Sequence, residues 1–165
     1  MKNKLLKNKN NSIKWINSKN LLDYNDAVVS MGNYVKSIKE NNSNEIIWLL
    51  EHIPVYTCGR SSKKKHLLNT KNIPVVHSGR GGQITFHGPG QRIIYIMLDL
   101  KKRDKDVRKY VHTLEKWMIM TLKEIGILAF TDPERIGLWV NSPYGESKIG
   151  AIGVRLSNWI TSHGI

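Results

Sequence analysis

Residues 80–91 read R-G-G-Q-I-T-F-H-G-P-G-Q. Gly81, Gly82, Gly88, Pro89 and Gly90 bracket a short run, 83–87, that reads as a strand. Glycine and proline at both ends demand unusual backbone angles there, and glycine lets a ligand lie directly against the main chain. The segment also carries a guanidinium (Arg80), a hydroxyl (Thr85), an imidazole (His87) and two amides (Gln83, Gln91). Small backbone with a few placed polar groups is how a substrate pocket is built. A tight hairpin with ordinary polar decoration is the other reading. The segment is no phosphate loop: it lacks G-x-x-x-x-G-K-[ST], it lacks G-x-G-x-x-G, and its G-P and P-G pairs oppose helix initiation.

Moving outward, 74–77 reads as extended and 92–100 as a strand dense in β-branched and aromatic residues. Upstream, 45–51 (E-I-I-W-L-L-E) reads as a buried strand, 54–57 as a short extended piece and 59–72 as a basic loop. Between Asn20 and 41–42, Leu21, Leu22, Ala27, Val28, Met31, Tyr34, Val35 and Ile38 recur at helical spacing. Asp23 and Asp26 suit that helix's first turns. A second helix spans 104–126, with Val107, Tyr110, Val111, Leu114, Trp117, Met118, Leu122 and Ile125 on one face and Gly126 at its end. Short strands follow at 127–131, 137–140, 148–156 and 159–163, with a polar turn at 142–147. Few helices and many grouped strands predict an α+β fold, a mixed or antiparallel sheet flanked by helices. One domain covers 20–165, behind a polar, frayed segment 1–19 from which Trp15 and Ile16 can dock as a first strand.

The chain has 165 residues, one domain's worth, enough to bury roughly 70% of its unfolded surface. No apolar stretch is long enough for a membrane helix, and no signal-peptide pattern opens the chain, so cytoplasmic residence is expected. The lone cysteine, Cys58, excludes an intrachain disulfide and a Cys-rich metal site. The formal charge of +13 suits an acidic partner: nucleic acid, an acidic carrier protein or an anionic cofactor. It equally suits a genome biased to Lys, Asn and Ile, and the lysine clusters lack the interleaved aromatics that stack bases.

Two further segments carry candidate chemistry. In 147–155, S-K-I-G-A-I-G-V-R, Lys148 opens a strand in which the small Gly150, Ala151 and Gly153 are interleaved with the apolar Ile149, Ile152 and Val154. It is either a solvated edge lysine or one whose stem packs while its ammonium acts on chemistry. In 161–165, T-S-H-G-I, His163 marks a turn or a pocket wall.

Together, 80–91, K-I-G-A-I-G-V-R at 148–155, H-G-I at 163–165 and P-V-Y-T-C-G-R-S at 54–61 resemble the lipoyl(octanoyl) transferases, the lipoate–protein ligase B family. The resemblance runs from about Leu22 to Ile165. It implies a fold like the biotin/lipoate protein ligase catalytic domain. It also implies transfer of an octanoyl or lipoyl group from octanoyl-acyl carrier protein to a lysine, on lipoyl domains of 2-oxoacid dehydrogenase E2 subunits or on the glycine cleavage H protein. No cofactor, metal, nucleic acid or membrane enters that chemistry.

In the family a cysteine thiolate carries the acyl group, and a lysine matched by Lys148 lowers the thiol pKa. The substrate-binding residues carried over are Arg80, Gly81, Gly82, Gln83, Ile84, Thr85, Phe86, His87, Ala151, Ile152, Gly153, Gly164 and Ile165. The family's cysteine follows H-G-I in a P-C-G segment, and Cys58 takes a place that is usually apolar. The sequence is therefore expected to be C-terminally truncated and its own turnover to be in doubt. An acyl-carrier-binding remnant without turnover is the alternative. An ATP-dependent lipoate or biotin ligase is the more distant one, since an adenylate-binding Gly/Arg loop is missing.

Overall fold

The structure is a computed structural model that describes residues 13–165. Residues 1–12 of the expected frayed segment lie outside the described residues. Its elements are β1 (Lys14–Leu22), α1 (Tyr24–Lys39), β2 (Ile46–His52), β3 (Val55–Cys58), β4 (Val75–His77), β5 (Ile84–His87), β6 (Ile93–Met97), α2 (Val107–Glu124), β7 (Ala129–Asp132), β8 (Arg135–Ser142), β9 (Gly145–Gly150), β10 (Gly153–Ser157) and β11 (Ile160–Gly164). They form a five-stranded sheet ordered β1-β2-β6-β11-β10 and two three-stranded sheets, β4-β3-β5 and β7-β8-β9. Parallel pairs β1/β2 and β3/β4 sit among antiparallel ones. The expected α+β class with a mixed sheet and flanking helices is what the chain adopts.

The central strands explain the layering. In β2 and β6 the apolar run is continuous, so alternate residues face opposite sides and both faces need cover. Ile46, Trp48, Leu50, Ile93, Tyr95 and Met97 pack with Ala27, Met31 and Ile38 of α1. Ile47, Ile94, Ile96 and Leu98 pack on the other face with Tyr110 and Leu114 of α2. Each such side chain, fully buried, contributes about 1.5–3 kcal/mol. Asp23 caps α1 by accepting from the Asn25 and Asp26 N–H groups at 2.7 and 3.2 Å. Asp106 caps α2 through the Lys109 N–H at 3.0 Å, and Gly126 at φ +80° terminates the helix.

Three expectations are corrected. The first helix begins at Tyr24, not Asn20, because Leu21 and Leu22 complete β1, which also takes in 14–19 from the supposed tail. The polar turn at 142–147 narrows to Pro143–Tyr144, since β8 runs to Ser142 and β9 starts at Gly145. The single strand expected over 148–156 is two: β9 pairs with β8 and β10 pairs with β11, in different sheets. Ala151 and Ile152 are the join, outside both ladders.

Candidate functional site

The glycine-rich segment folds back along β3 and its extension. Thr57 stands opposite Thr85, and Cys58 opposite Ile84. Beyond the strand, Gly59 N donates to Gln83 O (3.2 Å), Arg60 N to Arg80 O (3.0 Å) and Ser61 N to Gly82 O (3.0 Å). Gly81 N donates to Val154 O at 3.0 Å, which fastens the loop to β10. This close approach is why position 59 is glycine: a Cβ there would lie 2.7 Å from Arg80 Nη1 and against two loop carbonyls.

The fold turns Arg80 inward, to 7% exposure. Its Nη2 donates to Thr57 O and Oγ1, both at 2.7 Å, its Nε to Thr57 Oγ1 at 3.2 Å and its Nη1 to Gly81 O at 2.9 Å. All its acceptors are neutral, and no ion pair reaches it among the described residues. Burial lowers its pKa, though a guanidinium stays charged. A buried cation without a carboxylate is costly and leaves an uncompensated positive field facing whatever space it borders.

Around Arg80 stand three neutral histidines. His87 Nδ1 meets Gln91 Oε1 at 2.8 Å and so carries the proton, which makes Nε2 the acceptor for the Thr57 hydroxyl at 3.1 Å. Burial drives its pKa down to about 4, opposed by the Gln91 bond and reinforced by His52 and Arg80. His52 Nδ1–H donates to Leu22 O (3.0 Å), leaving Nε2 to accept from the Tyr95 hydroxyl (2.8 Å). Tyr95, deep in the core, has its pKa raised by burial. His163, in β11 at φ +58°, is 4% exposed, and its pKa falls to about 4 for the same reason, helped by Arg155, Arg80 and His87. Ser78 Oγ accepts from the Tyr24 hydroxyl at 2.7 Å and lies 3.4 Å from His163 Nε2. His163 Nδ1 has no partner among the described residues.

Lys148 enters from the separate sheet. In β9 it stands opposite Trp139, its Nζ donates to Ile136 O at 2.6 Å, and it lies 5.6 Å from the Trp139 ring centroid. Gly137, at φ +124°, leaves room for the lysine stem, since a Cβ there would meet Lys148 Cε and Nζ. Partial burial lowers the Lys148 pKa.

These pieces surround one cavity of about 680 Å³. Arg80, Gly81, Gly82, Gln83, Ile84, Thr85, His87, Lys148, Ala151, Ile152, Gly153, Gly164 and Ile165 all line it. Phe86 does not. It is 42% exposed and leans on Tyr56, because strand alternation turns it away from its neighbours Thr85 and His87. Sequence reading passed over Tyr24, Tyr95, Trp139 and His163 as lining groups or left them open, and missed Thr57 and His52 behind them. Cys58 is 6% exposed and absent from the lining, a packed residue at the end of β3. No helix among the described residues is long and apolar enough to cross a membrane.

The sequence pattern of the lipoyl protein ligase A/B catalytic domain matches residues 23–165. Octanoyltransferases from Zymomonas mobilis and Parvibaculum lavamentivorans are 47% and 49% identical, over 93% and 86% of this chain. The chain spans 71% and 65% of their own lengths. A bi-partite lipoate protein ligase from Thermoplasma acidophilum superposes with a TM-score of 0.64 at 16% identity, over 93% of this chain and 60% of that one, a likeness of fold.

Proposed function

We propose that this chain, which belongs to the lipoyl protein ligase A/B catalytic-domain family, provides the acyl-binding cavity for a cytoplasmic octanoyl transfer from acyl carrier protein to lipoyl-domain lysines. Support for the activity comes from relatives named octanoyltransferase at 47–49% identity. The observation that carries the reading is the cavity shared by the glycine-rich loop, the Ala151–Gly153 join and Lys148. Its volume admits a medium-length acyl chain, and its wall is predominantly apolar, with glycine, aliphatic and aromatic residues set among a few polar groups.

The chemistry follows from the polar groups at its border. The acyl chain lies along Ile84, Ile152 and Ile165, with its thioester toward Lys148. Main-chain N–H groups of Ala151 and Ile152, outside both ladders, stabilise the oxyanion as the thioester carbonyl becomes tetrahedral. Arg80 adds positive potential from behind, and neutral His87 keeps its hydroxyl-bonded tautomer throughout. Attack by a thiolate expels the carrier's thiolate and leaves a new acyl thioester. A deprotonated lysine amine then attacks that thioester, releasing thiol and forming the amide. Lys148, its pKa lowered, favours the thiolate in the first step and relays the proton that the amine loses in the second. The thiol belongs at the Lys148 end of the cavity. Cys58 is not that thiol.

The test is binding of octanoyl-pantetheine by calorimetry, with acetyl-pantetheine as comparison. Octanoyl is expected to bind more tightly, and Ile152→Trp, which fills the cavity, to abolish the difference. Mass spectrometry should find no octanoyl adduct, and pyrophosphate–ATP exchange with octanoate should be absent. An adduct removed by Cys58→Ser, or exchange above background, would overturn this assignment.

A further inference from the structure

We propose that the basic strip from Arg60 to Lys65 docks the acidic carrier protein that delivers the acyl group, a surface that rests on the acyl-transfer reading above. From His52 to Leu98 the chain contains no Asp or Glu. Within that stretch Arg60, Lys63, Lys64 and Lys65 are exposed, the last two opening a 3-10 turn at Lys64–His66. None of the four forms an ion pair with any described residue, whereas Lys101, Arg103 and Lys109 elsewhere are paired with Asp99, Glu45 and Asp104.

The strip is also fixed to the site. Arg60 and Ser61 donate their main-chain N–H groups to Arg80 and Gly82, and Ser61 lines the cavity itself. Arg135, which lines the cavity from β8, is instead paired with Asp132 and Glu146. The unpaired cations of the strip therefore stand next to the cavity in sequence and through Ser61. An acidic protein is drawn to them, and its encounter is steered and salt-sensitive.

The geometry selects the carrier over the other acidic partner. A carrier's acyl group rides on a long pantetheine arm, so its body rests beyond the cavity, where the strip's lysines, Lys63 to Lys65, follow Ser61. A lipoyl domain offers a short lysine side chain and has to press on the mouth itself. Nucleic acid is disfavoured because residues 59–72 contain no Phe, Tyr or Trp to stack on bases.

The experiment compares the full chain with the K63E/K64E/K65E variant for binding to octanoyl-carrier protein, octanoyl-pantetheine, a lipoyl domain and a short RNA, at low and at physiological salt. Charge reversal should weaken the carrier roughly tenfold or more and flatten its salt dependence, leaving octanoyl-pantetheine and the lipoyl domain within about twofold. K36E/K39E, at the far end of α1, should change nothing. Carrier binding that is absent, that survives in K63E/K64E/K65E, or that falls equally in K36E/K39E overturns the docking surface, as does a variant that loses only lipoyl-domain or RNA binding. Failure of octanoyl-pantetheine to bind the unmodified chain counts against the cavity reading instead, since Lys63, Lys64 and Lys65 do not line that cavity.

Discussion

Arg80 and His87 share one oxygen, the Thr57 hydroxyl, which accepts from the guanidinium and donates to His87 Nε2. Thr57 is fully buried, so no bulk water stands ready to replace it. Thr57→Val keeps the shape and removes the oxygen. It should cost about 2–4 kcal/mol in urea unfolding, because a buried cation and a buried imidazole each lose a partner. Thr57→Ser should restore most of that loss; a valine variant as stable as the parent would show that the hydroxyl does not hold Arg80. Residues of this kind are hard to find in a sequence. Thr57 lay inside the quoted segment 54–61, yet its partners are 23 and 30 residues away. His52 and Tyr95 offered a faint signal, as polar groups inside apolar strands, but their bond spans 43 residues.

At the scale of elements, β8 and β9 hold Lys148 in place through a glycine. Gly137 adopts φ +124° and passes beneath the lysine stem. Gly137→Ala brings both backbone strain and a collision with that stem, so it should destabilise by about 1–3 kcal/mol. It should also push the ammonium toward water, and the Lys148 pKa, followed by lysine NMR titration, should rise toward its ordinary value. An unchanged titration would mean the stem is not confined there. The helices and most strands were legible because each advertises its own period, and Gly126 its own end. Asp23 was placed inside the first helix, and its capping role shows only once Leu21 and Leu22 are seen in β1. The division of 148–156 was not legible. Small and apolar residues stay interleaved through Lys-Ile-Gly-Ala-Ile-Gly-Val. The adjacent Gly150 and Ala151 break strict alternation at the join, a local hint too slight to divide the run. The partners, β8 on one side and β11 on the other, are what separate the two strands.

For the molecule as a whole, the buried histidines set a pH dependence. In the unfolded chain they titrate near 6.5, while His87 and His163 stay neutral in the folded protein down to about 4. Between those values the unfolded state binds protons that the native state refuses. Stability should therefore be complete above roughly pH 6.5 and decline as pH falls toward 4. Urea midpoints at pH 7.5 and pH 5 check this; equal midpoints would contradict the buried neutral histidines. The class of fold and the family were legible beforehand, and so was the glycine-rich part of the cavity lining, through the family resemblance; Tyr24, Tyr95, Arg135 and Trp139, which complete the wall from distant segments, were not. The division into three sheets was not, because it depends on pairings between distant segments.

The two-residue join at Ala151–Ile152 has a consequence for specificity. In the proposed transfer the cradle for the chain and Lys148 sit on different sheets, and this short splice is the shorter main-chain link between them. Lengthening or bending it would then move Lys148 relative to the floor of the cavity, which makes it a place to alter the preferred fatty-chain length without touching a single charged group.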